Sequence, residues 1–508
     1  MATANTHLPD SSAREKQTVF VSDSLAFGVV FAILLTIIQR AVGFGRGILF
    51  CRLMTDQELG QWSMVFSFLM LLAPLAVLGL PGCFGRFTEH YLNKNQLGIF
   101  VRRIAFISSG LTALLAFAMY SNPKWISQIV FRSDAYVSIV NSMAFAVILV
   151  AAFNFLSSLL ESLRQVRLVT VMRFVQGVGF AMFGTLLILQ WDDAAAGATF
   201  GFGLASCLAC IPALWFVIRN RGGFVDSGET LTPSVMWKRI APFAIWLWAS
   251  NLVWNMFEVA DRYMLVHWAD ATAEQAHGFV GQYHSGRVIP MLLVGIAVVL
   301  EGMLMPYITV LWEQEKRQES GRQVSFALKL IAVGFASSAL VIQLFAPWLF
   351  HVVLQGKYND GLAVLPLTFV FSIWFSMFMF GQIYLWVAEK GKLVFAITGS
   401  GLILNLVLNA LLIPGLGIWG AIGATTSATL FCLLATNIAV AYCGFAFDRR
   451  TWFVCLLPLI VLMPTAYAIT AMLLLSVFGL LTNQLFSTEE KQLMAHKAGL
   501  LLSRLRLR

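Results

Sequence analysis

The chain has 508 residues, of which 59% are hydrophobic and only 12% are charged, and its formal net charge is +9. Soluble domains are typically about 45–50% apolar and about 25% charged, so a soluble fold of this size could not cover so much apolar surface. The composition excludes a soluble enzyme, a disulfide-linked secreted scaffold and a nucleic-acid-binding domain as descriptions of the whole chain, and indicates a polytopic membrane protein.

Long apolar runs follow the polar residues 1–24. A helix needs about 20 mainly apolar residues to cross ~30 Å of hydrocarbon, and this criterion predicts six spans, a polar break at 219–239 and six more spans. The first six are 25–49, 62–83, 99–120, 136–159, 168–190 and 198–218, and the second six are 241–266, 279–308, 325–350, 362–387, 393–413 and 417–445. The predicted fold is therefore all-α, with 12 core transmembrane helices.

A further apolar stretch, 452–482, is too long for one comfortable span and contains Pro458 and Pro464. It predicts either one tilted helix or a tight hairpin. The expected organisation is a cytoplasmic tail, a six-helix lobe, a cytoplasmic linker, a second six-helix lobe, an extra helix or hairpin, and a basic tail. The corresponding residues are 1–24, 25–222, 223–239, 240–446, 447–484 and 485–508.

Lysine and arginine are unevenly divided between the two sides of the predicted spans. With the N-terminus inside, 21 of them fall in the cytoplasmic tail and loops and only four in the opposite loops. Cytoplasmic loops carry an excess of Lys and Arg, so this division predicts a cytoplasmic N-terminus. The basic C-terminal tail is expected on the same side, which favours an even number of spans and the hairpin alternative.

The two halves of the chain resemble each other. Gly60-Gln61-Trp62 follows the first span and Gly281-Gln282-Tyr283 follows the seventh, each after an acidic loop. Farther along, RLV, LLIL and GATFGFG at 167–203 are matched in order by KLV, LLIP and GAIGATT at 392–426. The pattern predicts two parallel repeats, with a substrate site between them near the bilayer midplane.

Seven cysteines lie in or beside apolar runs, and two of them, Cys207 and Cys210, form a CxxC inside a helical stretch. No second pair and no neighbouring histidine ligand accompanies them, so they are interpreted as packing residues. We expect no metal and no cofactor.

Four segments carry a family resemblance. They are LGQWSMVFSFLMLLAPLAVLGLPGCFGRF (59–87), the Asp261-Arg262-Tyr263 step with Gly281-Gln282-Tyr283 after it, GKYNDGLAVLPL (356–367) and LILNLVLNALLIPGLGIWGAIGATTSA (402–428). Over about residues 20–445 the chain resembles the polysaccharide transporter family, the oligosaccharide-lipid flippases of the multidrug/oligosaccharidyl-lipid/polysaccharide exporter superfamily.

The resemblance implies a function that hydropathy does not. Such a protein moves a polyprenyl-diphosphate-linked glycan across the bacterial inner membrane by alternating access of two six-helix, MATE-like lobes. The glycan serves surface lipopolysaccharide or exopolysaccharide synthesis, and partners include the lipid-linked substrate, the bilayer and a polysaccharide polymerase or ligase. The resemblance implies neither a nucleic-acid partner nor an enzymatic activity.

Charged residues inside the predicted spans supply the candidate site, because intramembrane charge is costly and usually functional. The stretch QRAVGFGRG (39–47) also resembles the first span of lipid II flippases, which place two arginines six residues apart there. Guanidinium groups pair bidentately with phosphate, so we expect these residues to bind a diphosphate: Arg40, Arg46, Asn255, Arg262 and Arg287. Two acids, Glu258 and Asp261, are candidates for ion coupling or for ion pairs with these arginines.

Three alternatives remain open at this point. The arginines could instead hold the lobes together through ion pairs, or extend to the membrane interface. The chain could also be an ion-coupled exporter of drugs or small metabolites of the same superfamily. An exporter of cations needs an acidic cavity, whereas four arginines here face three acids, Glu258, Asp261 and Glu301. A membrane-embedded enzyme is disfavoured by short loops and by the absence of HExxH, P-loop and nucleophile motifs.

Overall fold

The structure, a computed structural model, describes residues 25–226, 231–482 and 484–492, with all side chains in these ranges except those of residues 25–34, 258 and 480. The predicted tail 1–24 and most of the predicted tail 485–508 lie outside the described residues.

Helices make up the described part of the chain, which contains no strand. The first half comprises α1 Leu25–Leu53, α2 Asp56–Ala76, α3 Phe84–Asn93, α4 Leu97–Ser121, α5 Pro123–Phe131, α6 Val137–Ser162, α7 Val166–Gln190 and α8 Ala194–Arg219. The second half comprises α9 Pro233–Trp268, α10 Ala273–Val288, α11 Pro290–Glu313, α12 Arg317–Trp348, α13 Asn359–Ala363, α14 Leu365–Val387, α15 Gly391–Leu416 and α16 Ile418–Tyr442, followed by α17 Arg449–Leu456 and α18 Thr465–Leu481.

Eleven segments of the described chain are long and apolar enough to cross a membrane. They lie in α2, α4, α6, α7, α8, α9, α11, α12, α14, α15 and α16. The 29-residue α1, which carries Arg40, Arg46 and Arg52, completes a set of twelve. Twelve core helices in two lobes agree with the predicted fold class.

Each lobe is built from helices of one half of the chain. In the first lobe α8 packs on α6 and α7, α7 on α1, and α6 on α4; in the second lobe α16 packs on α14 and α15, and α14 on α11 and α12. Small residues permit these approaches: a Cβ added at Gly420 would lie 2.5 Å from the carbonyl oxygen of Leu412. Small residues of the GAIGATT segment thus allow close packing of α16 on α15.

The lobes meet where α2 packs along α10 and α9. Both α2 and α10 begin with a capping box, in which the N-cap threonine and the residue three positions later each bond the other's backbone N–H. The pairs are Thr55 with Glu58 and Thr272 with Gln275. The matched starts of the two helices support the duplication, and we call this side of the molecule the α2–α10 end.

The predicted linker is shorter in the structure. Helix α9 begins at Pro233, a residue that suits the first helical position because its missing N–H would have no partner there. Residues 233–239 are therefore helical. Asp226 joins the remaining linker to the first lobe, since its carboxylate accepts the backbone N–H of Ile99 at 2.9 Å and a guanidinium N–H of Arg102 at 2.6 Å.

The 452–482 stretch is not one continuous helix. After α17 a 3₁₀ segment covers Leu457–Leu462, and α18 begins beyond Pro464, whose ring and missing N–H interrupt the helix. The single-tilted-helix alternative is therefore wrong. Buried Lys329 of α12 secures this region, because its Nζ lies 3.3 Å from Asp448 and 3.0 Å from Glu490.

Candidate functional site

A buried carboxylate joins four helices of the second lobe. Asp261 of α9, only 1% exposed, accepts hydrogen bonds from Tyr283 of α10 at 2.5 Å and from Thr425 of α16 at 2.5 Å. Its other oxygen accepts the amide N–H groups of Asn405 and Asn409 of α15 at 3.2 and 2.9 Å. Charge-assisted hydrogen bonds of this kind stabilise a carboxylate away from water.

Tyr283 connects this carboxylate to a buried arginine. The Arg287 guanidinium donates to the Tyr283 hydroxyl at 2.9 Å, and that hydroxyl donates to Asp261. Arg287 is 5% exposed, and its guanidinium carbon lies 4.9 Å from the ring centroid of Phe371 and 5.2 Å from that of Tyr283. Aromatic faces attract such a cation, so a tyrosine and a phenylalanine position the charge.

Arg262 faces the other lobe, although it follows Asp261 directly. Successive helical side chains point about 100° apart. Here Asp261 points into the second lobe, while Arg262 donates to Ser67 of α2 at 2.9 Å across the boundary between the two lobes, which we call the seam. One turn earlier on α2, Ser63 lies 3.1 Å from Nδ1 of His284. The two serines therefore form a polar stripe on α2 that faces the second lobe.

The two arginines of α1 lie on the first-lobe side. The Arg46 guanidinium carbon is 4.2 Å from the ring centroid of Phe180, and Arg46 is half-buried. Arg40 is exposed, and its Cδ lies 3.6 Å from the place where a Cβ would stand on Gly295 of α11. Arg40 thus reaches the second lobe across the seam.

The structure groups some of the predicted site residues and separates another. Arg262, Arg287 and Asp261 surround Tyr283. Asn255 instead donates to the carbonyl of Asn251 on its own helix, at 2.8 Å. The side chain of Glu258 lies outside the described residues, so its two predicted roles stay predictions.

Sequence reasoning recovered only part of the Asp261 environment. Asn405 and Asn409, four residues apart on α15, both donate to Asp261 of α9. Thr425 and the two serines of α2 were not expected, because single hydroxyl residues in apolar helices carry no spacing signal and usually bond their own backbone.

Oxygen-rich chemistry marks the Asp261 cluster. Besides the carboxylate it holds two amide oxygens and two hydroxyls, and Oδ1 of Asn409 has no hydrogen-bond partner within the described structure. Oxygen ligands of this kind suit hard cations. The described residues contain no group of three or more His, Cys, Asp or Glu that could hold a metal ion.

Comparisons with known proteins agree with this architecture. The chain is 23% identical over 421 residues to the uncharacterized membrane protein YabM of Bacillus subtilis (strain 168), covering 79% of this chain and 76% of the relative. Its fold is similar to that of lipid II flippase MurJ in an inward closed conformation, with a TM-score of 0.68, 13% identity and coverage of 94% and 100% of the two chains. It is also similar to a multidrug resistance MATE family transporter of the MOP superfamily in an inward-facing conformation, with a TM-score of 0.67, 12% identity and coverage of 81% and 98%.

A family model decides the assignment. The model of the polysaccharide biosynthesis proteins, Polysacc_synt, matches residues 25–312, which is more than half of the chain and includes α1, α2, α9 and α10. The chain therefore belongs to the polysaccharide biosynthesis protein family.

Proposed function

We propose that the protein is a flippase that moves a polyprenyl-diphosphate-linked oligosaccharide across the bacterial inner membrane for surface polysaccharide synthesis. The observation that carries the proposal is the set of arginines at and beside the boundary between the lobes. Arg262 reaches across it to Ser67 and Arg40 reaches across it to Gly295, while Arg46 and Arg287 lie against aromatic rings of the first and the second lobe. A diphosphate offers the geometry that guanidinium groups bind bidentately.

The hydrogen-bonding of the Asp261 carboxylate is compatible with an anionic substrate beside it. Its carboxylate is held by four uncharged donors of its own lobe, Tyr283, Asn405, Asn409 and Thr425. Arg262, next to it in sequence, extends away from it to Ser67 of the other lobe. In this proposal Arg40, Arg46, Arg262 and Arg287 bind the diphosphate, and Asn255 contributes a polar contact on the same helix as Arg262.

Transport proceeds by alternating access of the two lobes. In this proposal the N-terminus is cytoplasmic, because the excess of Lys and Arg lies in the N-terminal tail and in the second, fourth and later even-numbered connections of the predicted topology. The α2–α10 end is then external, and the substrate enters from the opposite, cytoplasmic side. Polysaccharide polymerases or ligases act on the product after it leaves.

Asp261, with Glu258 one helical turn away, is the proposed coupling group. A cation or a proton that enters the Asp261 cluster must compete with donors from α10, α15 and α16. Binding there therefore changes how three helices are joined to α9, which is the helix that also carries Arg262.

An exporter of drugs or small metabolites is the second candidate. Its support is the fold shared with multidrug resistance MATE transporters, at a TM-score of 0.67. A cationic drug needs an acidic cavity, however, and a seam containing Arg40, Arg46 and Arg262 would repel it.

Deletion of the gene tests the proposed function. Lipid-linked oligosaccharide is expected to accumulate on the cytoplasmic face while surface polysaccharide falls, because synthesis of the intermediate continues but its translocation stops. The two leaflets are distinguished by a membrane-impermeant glycan label applied to intact cells and to inverted vesicles. A complete absence of the lipid-linked intermediate would place the protein upstream and contradict the proposal.

A further inference from the structure

The backbones of the two lobes approach each other very closely at the α2–α10 end. A Cβ added at Gly60 would overlap the carbonyl oxygen of His277, and one added at Gly281 would overlap the carbonyl oxygen of Asp56. Both helices thus present a glycine at the point where they cross. These are the glycines of the two Gly-Gln-aromatic steps, so the repeated motif is what allows the lobes to close here.

The segment GKYNDG adds contacts at the same end. Lys357 Nζ donates to the carbonyl of Arg52 at 2.9 Å, and the Tyr358 hydroxyl donates to the carbonyl of Met54 at 3.2 Å. Gln282 in turn donates to the carbonyl of Lys357 at 2.9 Å. Backbone carbonyls at the turn between α1 and α2 thus accept hydrogen bonds from the second lobe, and we call these contacts and the glycine crossing the external seam.

A titratable side chain is buried inside this seam. His277, on the second turn of α10, is 0% exposed, and its Nδ1 lies 3.4 Å from the hydroxyl of Tyr136 of the first lobe. Its ring packs edge-on against Phe131 and Tyr136, with centroids 5.8 and 5.2 Å away. The carbonyl of the same residue touches Gly60.

The groups that face His277 offer a proton little compensation. Its ring contacts within the described residues are aromatic, and a hydrogen bond to the backbone of Phe131 favours the proton less than burial disfavours it. The titratable and charged side chains on the elements around it are Asp56 and Glu58 of α2, Arg132 after α5, Tyr136 at the start of α6, Asp193 before α8, His267 of α9 and Glu274 of α10.

Charge placed on a buried ring costs free energy unless water or a counter-ion solvates it. Closing the seam removes the water, and opening it restores the water. A proton from the external side therefore binds more readily to the open seam, and by linkage an excess of protons favours the open form. We propose that the external seam is the external gate of the transporter and that His277 is its proton-sensitive latch: the neutral ring favours the closed gate, and the protonated ring favours the open gate.

This proposal rests on the orientation and alternating access of the proposed function, but it can be measured without substrate. Spin labels on Lys124→Cys and Asn359→Cys, two exposed positions on different lobes, report the width of the α2–α10 end by pulsed electron resonance. Cys207→Ser and Cys443→Ser remove the exposed and the partly exposed native thiol of the described chain. Labels are attached before the pH is changed, so the pH dependence of the thiol-labelling reaction does not affect the measured distances.

The distances are compared at about pH 7.5 and about pH 5.5, on either side of the ordinary histidine pKa of about 6.5. We expect the fraction of molecules with the longer distance to rise about threefold in acid. In His277→Gln the fraction should be the same at both pH values. His351→Gln, which removes an exposed histidine close to the same end, should keep the full response.

A second variant protects the test if His277→Gln does not fold. Tyr136→Phe keeps the ring and the histidine but removes the hydroxyl, so the longer distance should be more populated at pH 7.5 and should still increase in acid. An unchanged acid response in His277→Gln, or no response in the parent protein, would overturn the latch. Neither result would affect translocation measured with substrate, which tests the proposed function separately.

Discussion

Transport by the Arg287→Ala variant is expected to fall at least about tenfold, since hydrogen bonds to charged groups contribute about 1.5–3 kcal/mol and about 1.4 kcal/mol is a factor of ten. Arg287 is 5% exposed and donates to Tyr283, and in the proposed function its guanidinium is one of the groups that bind the diphosphate. Arg287→Lys should retain part of the transport, because it keeps the charge and loses the bidentate geometry. Export of lipid-linked glycan, normalised to the amount of protein in the membrane, is the measurement.

Two comparisons separate substrate binding from an ion pair. Arg219→Ala removes an arginine that stacks on Trp215 at the end of α8, away from the seam, and should leave export near normal. If Arg287 serves only to neutralise an acid, its loss should lower protein abundance, and Glu258→Gln in the Arg287→Ala background should restore export. Such a rescue would rule out substrate binding by Arg287.

Transport should be abolished by Gly60→Val and by Gly281→Val. Even the first carbon of either side chain would overlap a backbone carbonyl of the opposite helix, His277 or Asp56, and backbone atoms cannot move aside as a flexible side chain can. The α2–α10 end would be held apart, so the inward-facing half of the transport cycle would not be reached. The spin-label distances described above should report the longer separation at every pH, while the protein remains in the membrane.

Valine at glycines elsewhere controls for the general cost of a β-branched residue in a helix. Gly110 of α4 and Gly399 of α15 have no atom within 4 Å of an added Cβ. Gly110→Val and Gly399→Val should therefore keep most of the export. Equal losses in all four variants would show that helix propensity, and not closure of the seam, explains the effect.

Hydropathy predicted the fold well because the bilayer imposes a length on each span. It was inexact in three places. Helix α9 begins earlier than expected because Pro233 is favourable at a helix start, the predicted span 279–308 divides into α10 and α11 at Pro290, and the 452–482 stretch divides at Pro464. A window of mean hydropathy averages over single prolines and so could not choose between one helix and two segments.

The site was predictable in residue types and much less in geometry. Sequence spacing identified the arginines and Asp261, but it could not show that Asp261 points into its own lobe while Arg262 points to Ser67. The donors to Asp261 include Asn409 and Thr425, which lie on helices far along the chain. Helical periodicity describes one element at a time and carries no information about which distant helix faces it.

Translocation by the purified protein in liposomes tests the central claim most directly. Vesicles containing a fluorescent polyprenyl-diphosphate oligosaccharide in both leaflets are treated with an impermeant quencher, and the protected fraction is followed over time. The wild-type protein is expected to move protected substrate to the outer leaflet, and Arg287→Ala to move little. Failure of the wild-type protein to move this substrate, together with transport of a cationic drug by the same vesicles, would contradict the account.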